Sequence, residues 1–287
     1  MPDSALTFLL SSGAGLPGWG YQRDHDPVVE PTAAVLIYLQ RFQEAQDTLH
    51  LSLDWLVQIQ HPDGGWGINE SDPESGWHTA WAILALRRCL GPEAVIASGI
   101  DWLGQVDAMK LQDSADLAMG EQVAKIDFSL VGWPWLPGEA SWVEPTALSI
   151  LASDGRGQTS KEQNRLAEAV KYLVDRRCKG GGWNVGNPVM FNSNLPARAV
   201  PTAWSLIALH HIAPQHIEVN DVSALKKEIA QDGGVYAAAW GLLALRILGE
   251  DDAETESHLL NIQAENGSWQ ESPYLTAIAA MALKGEF

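Results

Sequence analysis

Thr79-Ala80-Trp81-Ala82-Ile83-Leu84-Ala85-Leu86 is the stretch that decides the fold, because the chain repeats it. Thr202-Ala203-Trp204-Ser205-Leu206-Ile207-Ala208-Leu209 matches it closely, and Thr276-Ala277-Ile278-Ala279-Ala280-Met281-Ala282-Leu283 matches it well. Ala238 to Leu245, Thr146 to Ser153 and Thr32 to Leu39 complete a set of six. Each copy is rich in Ala and Leu, strong helix formers, and is apolar nearly all round, as expected of a helix with no water-facing side. These are predicted inner helices.

Upstream of each copy lies an amphipathic segment that ends in a Gly-rich turn with an aromatic residue. The clearest is Trp55-Leu56-Val57-Gln58-Ile59-Gln60-His61-Pro62-Asp63-Gly64-Gly65-Trp66. Leu259 to Trp269 repeats it with Gln263, Gly267 and Trp269, and Tyr172 to Trp183 has Arg177 where Gln stood. Phe8 to Trp19 and Leu225 to Val235 are degenerate copies, and Trp102-Leu103 opens one with a long insertion behind it. These segments read as outer helices. Six outer-inner hairpins in 287 residues give about 48 residues per unit, enough for two helices and two loops. An open stack of such units needs polar capping repeats, and Thr276 to Leu283 is as apolar as the middle copies. The expected fold is therefore all-α, a single α/α toroid over residues 1–287, with six inner helices ringed by six outer ones.

Composition narrows the function. Eighteen Lys and Arg against 36 Asp and Glu leave a formal charge of −18, with no basic stripe, which argues against nucleic acid and anionic lipid surfaces. A hydrophobic fraction of 46% supports a large core. Neither Cys89 nor Cys178 has a second Cys at zinc-ligand spacing, and the start at Met1-Pro2-Asp3-Ser4 shows no basic leader or apolar span. The expectation is a cytoplasmic chain without a transmembrane segment. Tryptophan, at 13 residues, outnumbers Phe and Tyr together, in keeping with a repeated structural role. A Gln amide near an outer-helix end both donates and accepts, so it can satisfy orphan backbone groups of a neighbouring helix while the indole covers it.

Gln60 to Trp66 and Gln263 to Trp269 resemble the QW motif of the terpenoid cyclases, the family of squalene–hopene cyclase; the β subunits of protein prenyltransferases share the toroid. The similarity runs over essentially the whole chain. It implies an isoprenoid or similarly apolar ligand and a proton-initiated cyclisation or isomerisation. Cyclases of the family place their site between two barrels and prenyltransferases recruit a second subunit, so the resemblance also implies a partner subunit or a reuse of the fold.

In a closed ring all six inner N-termini open at one mouth. The residue two before each repeated Thr position then forms a rim of Glu30, Trp77, Glu144, Val200, Tyr236 and Tyr274. Pro31, Pro145 and Pro201 follow, read as first helical positions. One reading of Glu30 and Glu144 is that they are acids favoured by a helix N-terminus. The other comes from the resemblance: Val28-Val29-Glu30-Pro31-Thr32 and Trp142-Val143-Glu144-Pro145-Thr146 fall on the Asp-x-Asp-Asp-Thr motif, whose middle Asp protonates the polyene. That implies catalytic roles for Glu30 and Glu144, with Val28 or Trp142 in place of the first Asp and proline in the fourth place. Asp24-His25-Asp26 is a candidate replacement pair or a solvated loop. Trp77, Trp142, Tyr236 and Tyr274 are candidate ligand-binding aromatics, since a ring face stabilises a cation, and rim packing is the other reading of each.

His78 resembles the zinc-ligand His of the prenyltransferases and is a further candidate at the rim, but the Asp-x-Cys pair is absent and one His does not hold zinc. No Asp-Asp-x-x-Asp cluster or basic pocket suits magnesium diphosphate. No metal and no cofactor are therefore expected. Met119-Gly120-Glu121-Gln122 echoes the Cys-Gly-Glu-Gln of complement-like thioester toroids without the thiol. The insertion from Val106 to Trp142, ending in Gly132-Trp133-Pro134-Trp135, reads as a lid over the rim or a floppy loop, and Asn184 to Arg198 as a second cover. The competing functional class is a non-catalytic interaction or ligand-binding module. A glycan-active α/α barrel, with acid pairs in an open cleft, is a third. The discriminator is an apolar cavity of about 300 to 1,000 Å³ behind the rim with a carboxylate facing it.

Overall fold

A computed structural model describes residues 3–110, 114–154 and 159–287; the start at Met1-Pro2 and a short part of the first insertion lie outside the described residues. In chain order the helices are α1 (Ser4–Ser12), α2 (Val29–Leu39), α3 (Gln46–Gln58), α4 (His78–Arg88), α5 (Glu93–Gln105), α6 (Ser114–Ala124), α7 (Val143–Ser153) and α8 (Ser160–Asp175). A two-stranded hairpin, β1 (Val189–Met190) and β2 (Ser193–Asn194), precedes α9 (Ala199–Ile212), α10 (Val219–Asp232), α11 (Val235–Ile247), α12 (Ala253–Asn261) and α13 (Pro273–Lys284).

Helices α2, α4, α7, α9, α11 and α13 each pack on the next, and α13 packs back on α2. The ring is closed, and the fold is an α/α toroid. Every residue of α2 is buried, as its all-round apolar sequence demands. The outer helices α1, α3, α5, α8, α10 and α12 pack on the inner ring with one face only. In α8 that face is Leu166, Ala169, Val170, Tyr172 and Leu173, at helical spacing.

The repeated Trp and Thr form a clamp between the two layers. The indole N–H groups of Trp19, Trp66, Trp133, Trp183 and Trp269 donate to the carbonyls of Leu9, Leu56, Leu103, Leu173 and Leu259, near outer-helix C-termini. The backbone N–H of the same five tryptophans donates to Oγ1 of Thr32, Thr79, Thr146, Thr202 and Thr276 in the inner helix. Helix-end carbonyls and buried loop amides are thus paired inside the protein. Unit five, with Ala238 where the others have Thr, lacks this arrangement. In unit three the indole comes from Trp133, at the far end of the insertion that Trp102-Leu103 opens.

Two glutamines tie an outer helix to the next. Gln60 Nε2 donates to Gly64 O and to Val95 O in α5; Gln263 Nε2 donates to Gly267 O and approaches Ser4 Oγ in α1, across the closing seam. Arg177, in the equivalent place, reaches His216 O, Glu218 and Asp221 at the start of α10. At Gly267 the backbone has φ +87° and a Cβ would lie 2.2 Å from Ser4 O, so only glycine lets the seam close.

Proline 31 is the third residue of α2, not its first: the helix begins at Val29, with Val28 as an extended N-cap. Pro145 and Pro201 occupy the same third position in α7 and α9. Proline is tolerated there because the first four amides of a helix have no intrahelical partner. Glu30 and Glu144 consequently sit inside the first turn rather than ahead of it.

Candidate active site

The rim position and the residue four places later lie on one face of each inner helix. That face lines a cavity of about 400 Å³ at the N-terminal mouth of the ring. Glu30, Trp77, Glu144, Tyr236 and Tyr274 enter it from the rim, and Trp81, Leu148 and Trp204 line it one turn below. Trp81 meets Trp204 edge to face with centroids 5.6 Å apart, and Tyr236 and Tyr274 lie 6.0 Å apart. The walls are apolar and aromatic, and the two carboxyls are the acidic groups among them.

Glu30 is 6% exposed and accepts hydrogen bonds from the phenols of Tyr21 and Tyr274 on its two oxygens. Burial raises its pKa, while Tyr21, Tyr274 and Trp81 act in the opposite direction by stabilising the carboxylate. Burial and the Glu30 carboxyl also push the Tyr21 and Tyr274 phenols upward, so both remain donors. Tyr21 is held at the closing seam: Ser272 Oγ donates to its carbonyl, and Arg23 N donates to Glu271 O at 3.2 Å. Tyr274 belongs to the last unit and Glu30 to the first, so ring closure itself assembles this cluster.

Glu144 occupies the matching place on α7. Its pKa is raised to about 7, first by burial and second by the Glu30 charge, and among the described residues no hydrogen bond offsets either. The site thus holds two carboxyls of different character: one gripped by phenols, one bare.

Two sequence candidates stand elsewhere. His78 is buried outside the cavity lining, its ring 4.3 Å from that of Trp77, and burial lowers its pKa to about 4. It lies one residue past Trp77, about 100° around the helix from the lumen face. Trp142 is the extended N-cap of α7; its ring faces Gly186 and lines a separate recess with Tyr172, while its carbonyl accepts from Thr146. As the N-cap of α7 it lies two residues before the lumen position Glu144, and its ring lines that recess instead of the cavity. Val200 also does not line the cavity.

Asp24, His25 and Asp26 are exposed and away from the lining, and Asp24 faces Arg23. Of the first insertion, Trp135 reaches the mouth, edge to face with Trp77 at 4.9 Å, and its carbonyl accepts from Trp77 N. Helix α6, which carries Met119-Gly120-Glu121-Gln122 as an ordinary turn, instead meets the second insertion, where Phe191 N donates to Val123 O. Tyr21, Trp81 and Trp204 were not among the sequence candidates, and Trp135 entered only as part of the insertion read as a lid. For Trp81 and Trp204 the signal was present, since both sit four residues after a rim position in the repeated Thr-Ala-Trp. Tyr21 and Trp135 come from loops, which have no period. Among the described residues no group of three or more His, Cys, Asp or Glu side chains converges as a metal site, and no helix is long and apolar enough to cross a membrane.

No protein-family profile matches the chain. Over 170 residues, 55% of this chain, it is 25% identical to a squalene–hopene cyclase of Bradyrhizobium diazoefficiens, of which it covers 23%. Over 227 residues, 69% of this chain, it is 24% identical to a terpene cyclase–glycosyl transferase fusion protein of Humicola fuscoatra, of which it covers 16%. The chain therefore spans under a quarter of either relative's length. Among solved structures, a variant of the type II terpene cyclase MstE from Scytonema, in complex with geranylgeranyl dihydroxybenzoate, aligns with a TM-score of 0.66 at 17% identity, over 98% of this chain and 95% of that one. In fold, and more faintly in sequence, the chain thus resembles the terpenoid cyclases.

Proposed function

We propose that the chain binds an isoprenoid-like apolar ligand in the mouth cavity and catalyses its proton-initiated cyclisation or isomerisation. The observation that carries this reading is the pair of carboxyls, Glu30 and Glu144, facing one aromatic-walled cavity. The cavity volume falls in the range of small-molecule sites, and buried acids with raised pKa in a cleft are the groups that cluster at functional sites.

Glu30 is the proton donor in this scheme. Burial raises its pKa and so favours the protonated form, and the phenols of Tyr21 and Tyr274 stabilise the carboxylate that remains after transfer. The π pair of a ligand double bond takes the proton from the Glu30 carboxyl; the O–H electrons stay on oxygen, and a carbocation forms at the neighbouring carbon. The faces of Trp81, Trp204 and Tyr236 stabilise that cation by roughly 0.5 to 2 kcal/mol each. Glu144, as carboxylate, removes a proton from carbon beside the cation, and the C–H pair becomes the new double bond. The proton then returns to Glu30 through the mouth, so the reaction is redox-neutral and needs no cofactor. The MstE chain is covered to 95% by this one, so a chain of one toroid's span is associated with a geranylgeranyl ligand there, and we place the ligand inside this chain rather than against a partner.

The test is incubation of the purified chain in D₂O with neutral polyprenyl compounds, geranylgeranyl dihydroxybenzoate among them, followed by extraction and mass analysis. Turnover should install deuterium at the protonated carbon. Glu30→Gln should stay folded by circular dichroism and lose about 100-fold or more in rate, the usual worth of a positioned acid. No conversion by the wild type, or wild-type rates in both Glu30→Gln and Glu144→Gln, refutes the catalytic reading.

A further inference from the structure

The ring has a second chamber, at the pole opposite the mouth cavity. It holds about 590 Å³ at the C-terminal ends of the inner helices, within the size range of small-molecule sites. The indoles of Trp81, Trp204 and Trp240 and the ring of Phe287 pack between the two cavities, with Phe287 5.6 to 6.3 Å from each indole. The repeat orders the lining of this chamber by depth. Ile37, Leu84, Leu151 and Ile207, each five residues after the repeated Thr, form an inner apolar wall. Three to four residues further along the chain stand Arg41, then Arg87 and Arg88, then Asp154, then His210 and His211. That interval is about 4.5 to 6 Å of helix rise, so the chamber is apolar inside and charged at its opening.

Part of this charge is paired internally. Arg41 pairs with Glu286, Arg87 donates to the Asp154 carbonyl, and His211 Nε2 lies 3.0 Å from Asp154 Oδ2. Basic residues in the last turn of a helix also complement its carbonyl end, which accounts for Arg87. It does not account for Arg88 and His210, which are exposed on the chamber lining and, among the described residues, have no hydrogen-bond or ion-pair partner. Three lining arginines against the carboxylates of Asp154 and Glu286 leave one positive charge with the histidines neutral, in a chain whose formal charge is −18.

We propose that the second chamber is a binding site for a monocarboxylate with an apolar body, its chain against Ile37, Leu84, Leu151 and Ile207 and its carboxylate on Arg88. A planar guanidinium takes a carboxylate in two parallel hydrogen bonds. The net charge selects a monoanion: a phosphate monoester carries about 1.5 to 2 negative charges near neutral pH and exceeds the one positive charge available, at an opening where the carbonyl ends of the inner helices already oppose anions. The mouth cavity is no alternative seat for such a ligand, because its charged groups are the carboxyls of Glu30 and Glu144. The proposal is independent of the reaction assigned to that cavity.

The test is calorimetric titration of the full chain with decanoate, decanol and decyl phosphate at pH 8, where histidines are ordinarily neutral. Decanoate should bind more tightly than decyl phosphate and at least about ten-fold more tightly than decanol, and Arg88→Gln should weaken it about ten-fold, the usual worth of a charge-assisted bond. Arg198→Gln, which removes an exposed arginine at the opposite pole, should leave decanoate binding unchanged. Leu84→Trp fills the inner wall and should weaken decanoate by about ten-fold or more; should that variant not fold by circular dichroism, Arg88→Gln decides. Absence of decanoate binding, an unchanged affinity in Arg88→Gln, or an equal loss in Arg198→Gln overturns the site. Decanol or decyl phosphate binding as tightly as decanoate overturns the carboxylate assignment.

Discussion

Replacing Glu144 by Gln should stabilise the protein at alkaline relative to acidic pH. Glu144 has its pKa raised from 4.5 to about 7 in the folded state, by burial first and the Glu30 charge second. A carboxyl with a raised folded pKa destabilises the fold wherever it must ionise. Below about pH 4.5 both folded and unfolded chains carry the proton, and the group is neutral to stability. Between about 4.5 and 7 the folded chain holds a proton that the unfolded chain has lost, so stability falls with rising pH and levels off above 7. At about 1.4 kcal/mol per pKa unit the full loss is about 3 kcal/mol, an upper bound because the side chain is partly exposed. Glutamine cannot ionise. Its amide carries a desolvation cost of about 1–3 kcal/mol, but that cost is the same at every pH. The measurable quantity is therefore the change of the mutational effect with pH. Urea denaturation of both proteins at pH 4.5 and pH 8 should show the Gln variant gaining about 2 to 3 kcal/mol on the wild type between the two. A mutational effect that moves by less than about 0.5 kcal/mol would mean that Glu144 is solvated like any surface acid, and the two-carboxyl site would lose half its basis. A gain of the expected size would mean that the fold tolerates a costly acid at this mouth, the pattern seen where stability is traded for function.

Thr79→Val, nearly isosteric, removes the oxygen that accepts from the buried Trp66 N–H at 2.8 Å; it should cost about 1–3 kcal/mol in denaturant midpoint analysis, and Thr79→Ser should restore most of it. Equal stability of the Val variant would show that the clamp between layers contributes nothing. Gly267→Ala places a Cβ 2.2 Å from Ser4 O at φ +87°, so it should lower the melting temperature by more than the same change at Gly249, which has φ +75° and no neighbour within 4 Å. Equal losses at the two sites would show that the seam yields freely.

The toroid was legible because a helix-by-helix repeat is local information. Thr79-Ala80-Trp81 and its copies carry helix propensity, the all-round apolar character of an inner layer and a register against which the other copies align. That register placed Glu30, Trp77, Glu144, Tyr236 and Tyr274 at one mouth, and the structure lines one cavity with all five. The same register, carried one further turn, reaches Trp81 and Trp204, which shows how much of the site the repeat already contained. His78 and Trp142 do not line the cavity: one residue along a helix turns a side chain by about 100°, and Trp142 lies in extended backbone two residues ahead of the lumen position Glu144.

What sequence alone determined is thus everything that recurs with the period of a helix or of the repeat: the two layers, the recurrence of Trp and Thr, and the rim positions. Tertiary structure decided the rest. Closure brings Tyr274 onto Glu30 across 244 residues, the loop at the seam adds Tyr21, the end of the first insertion adds Trp135, and Phe287 folds under the indoles. These contacts are set by where the ring meets itself. No periodic pattern encodes a meeting between segments that are neighbours only after folding, and that is why the phenols that tune Glu30 had to be seen in space.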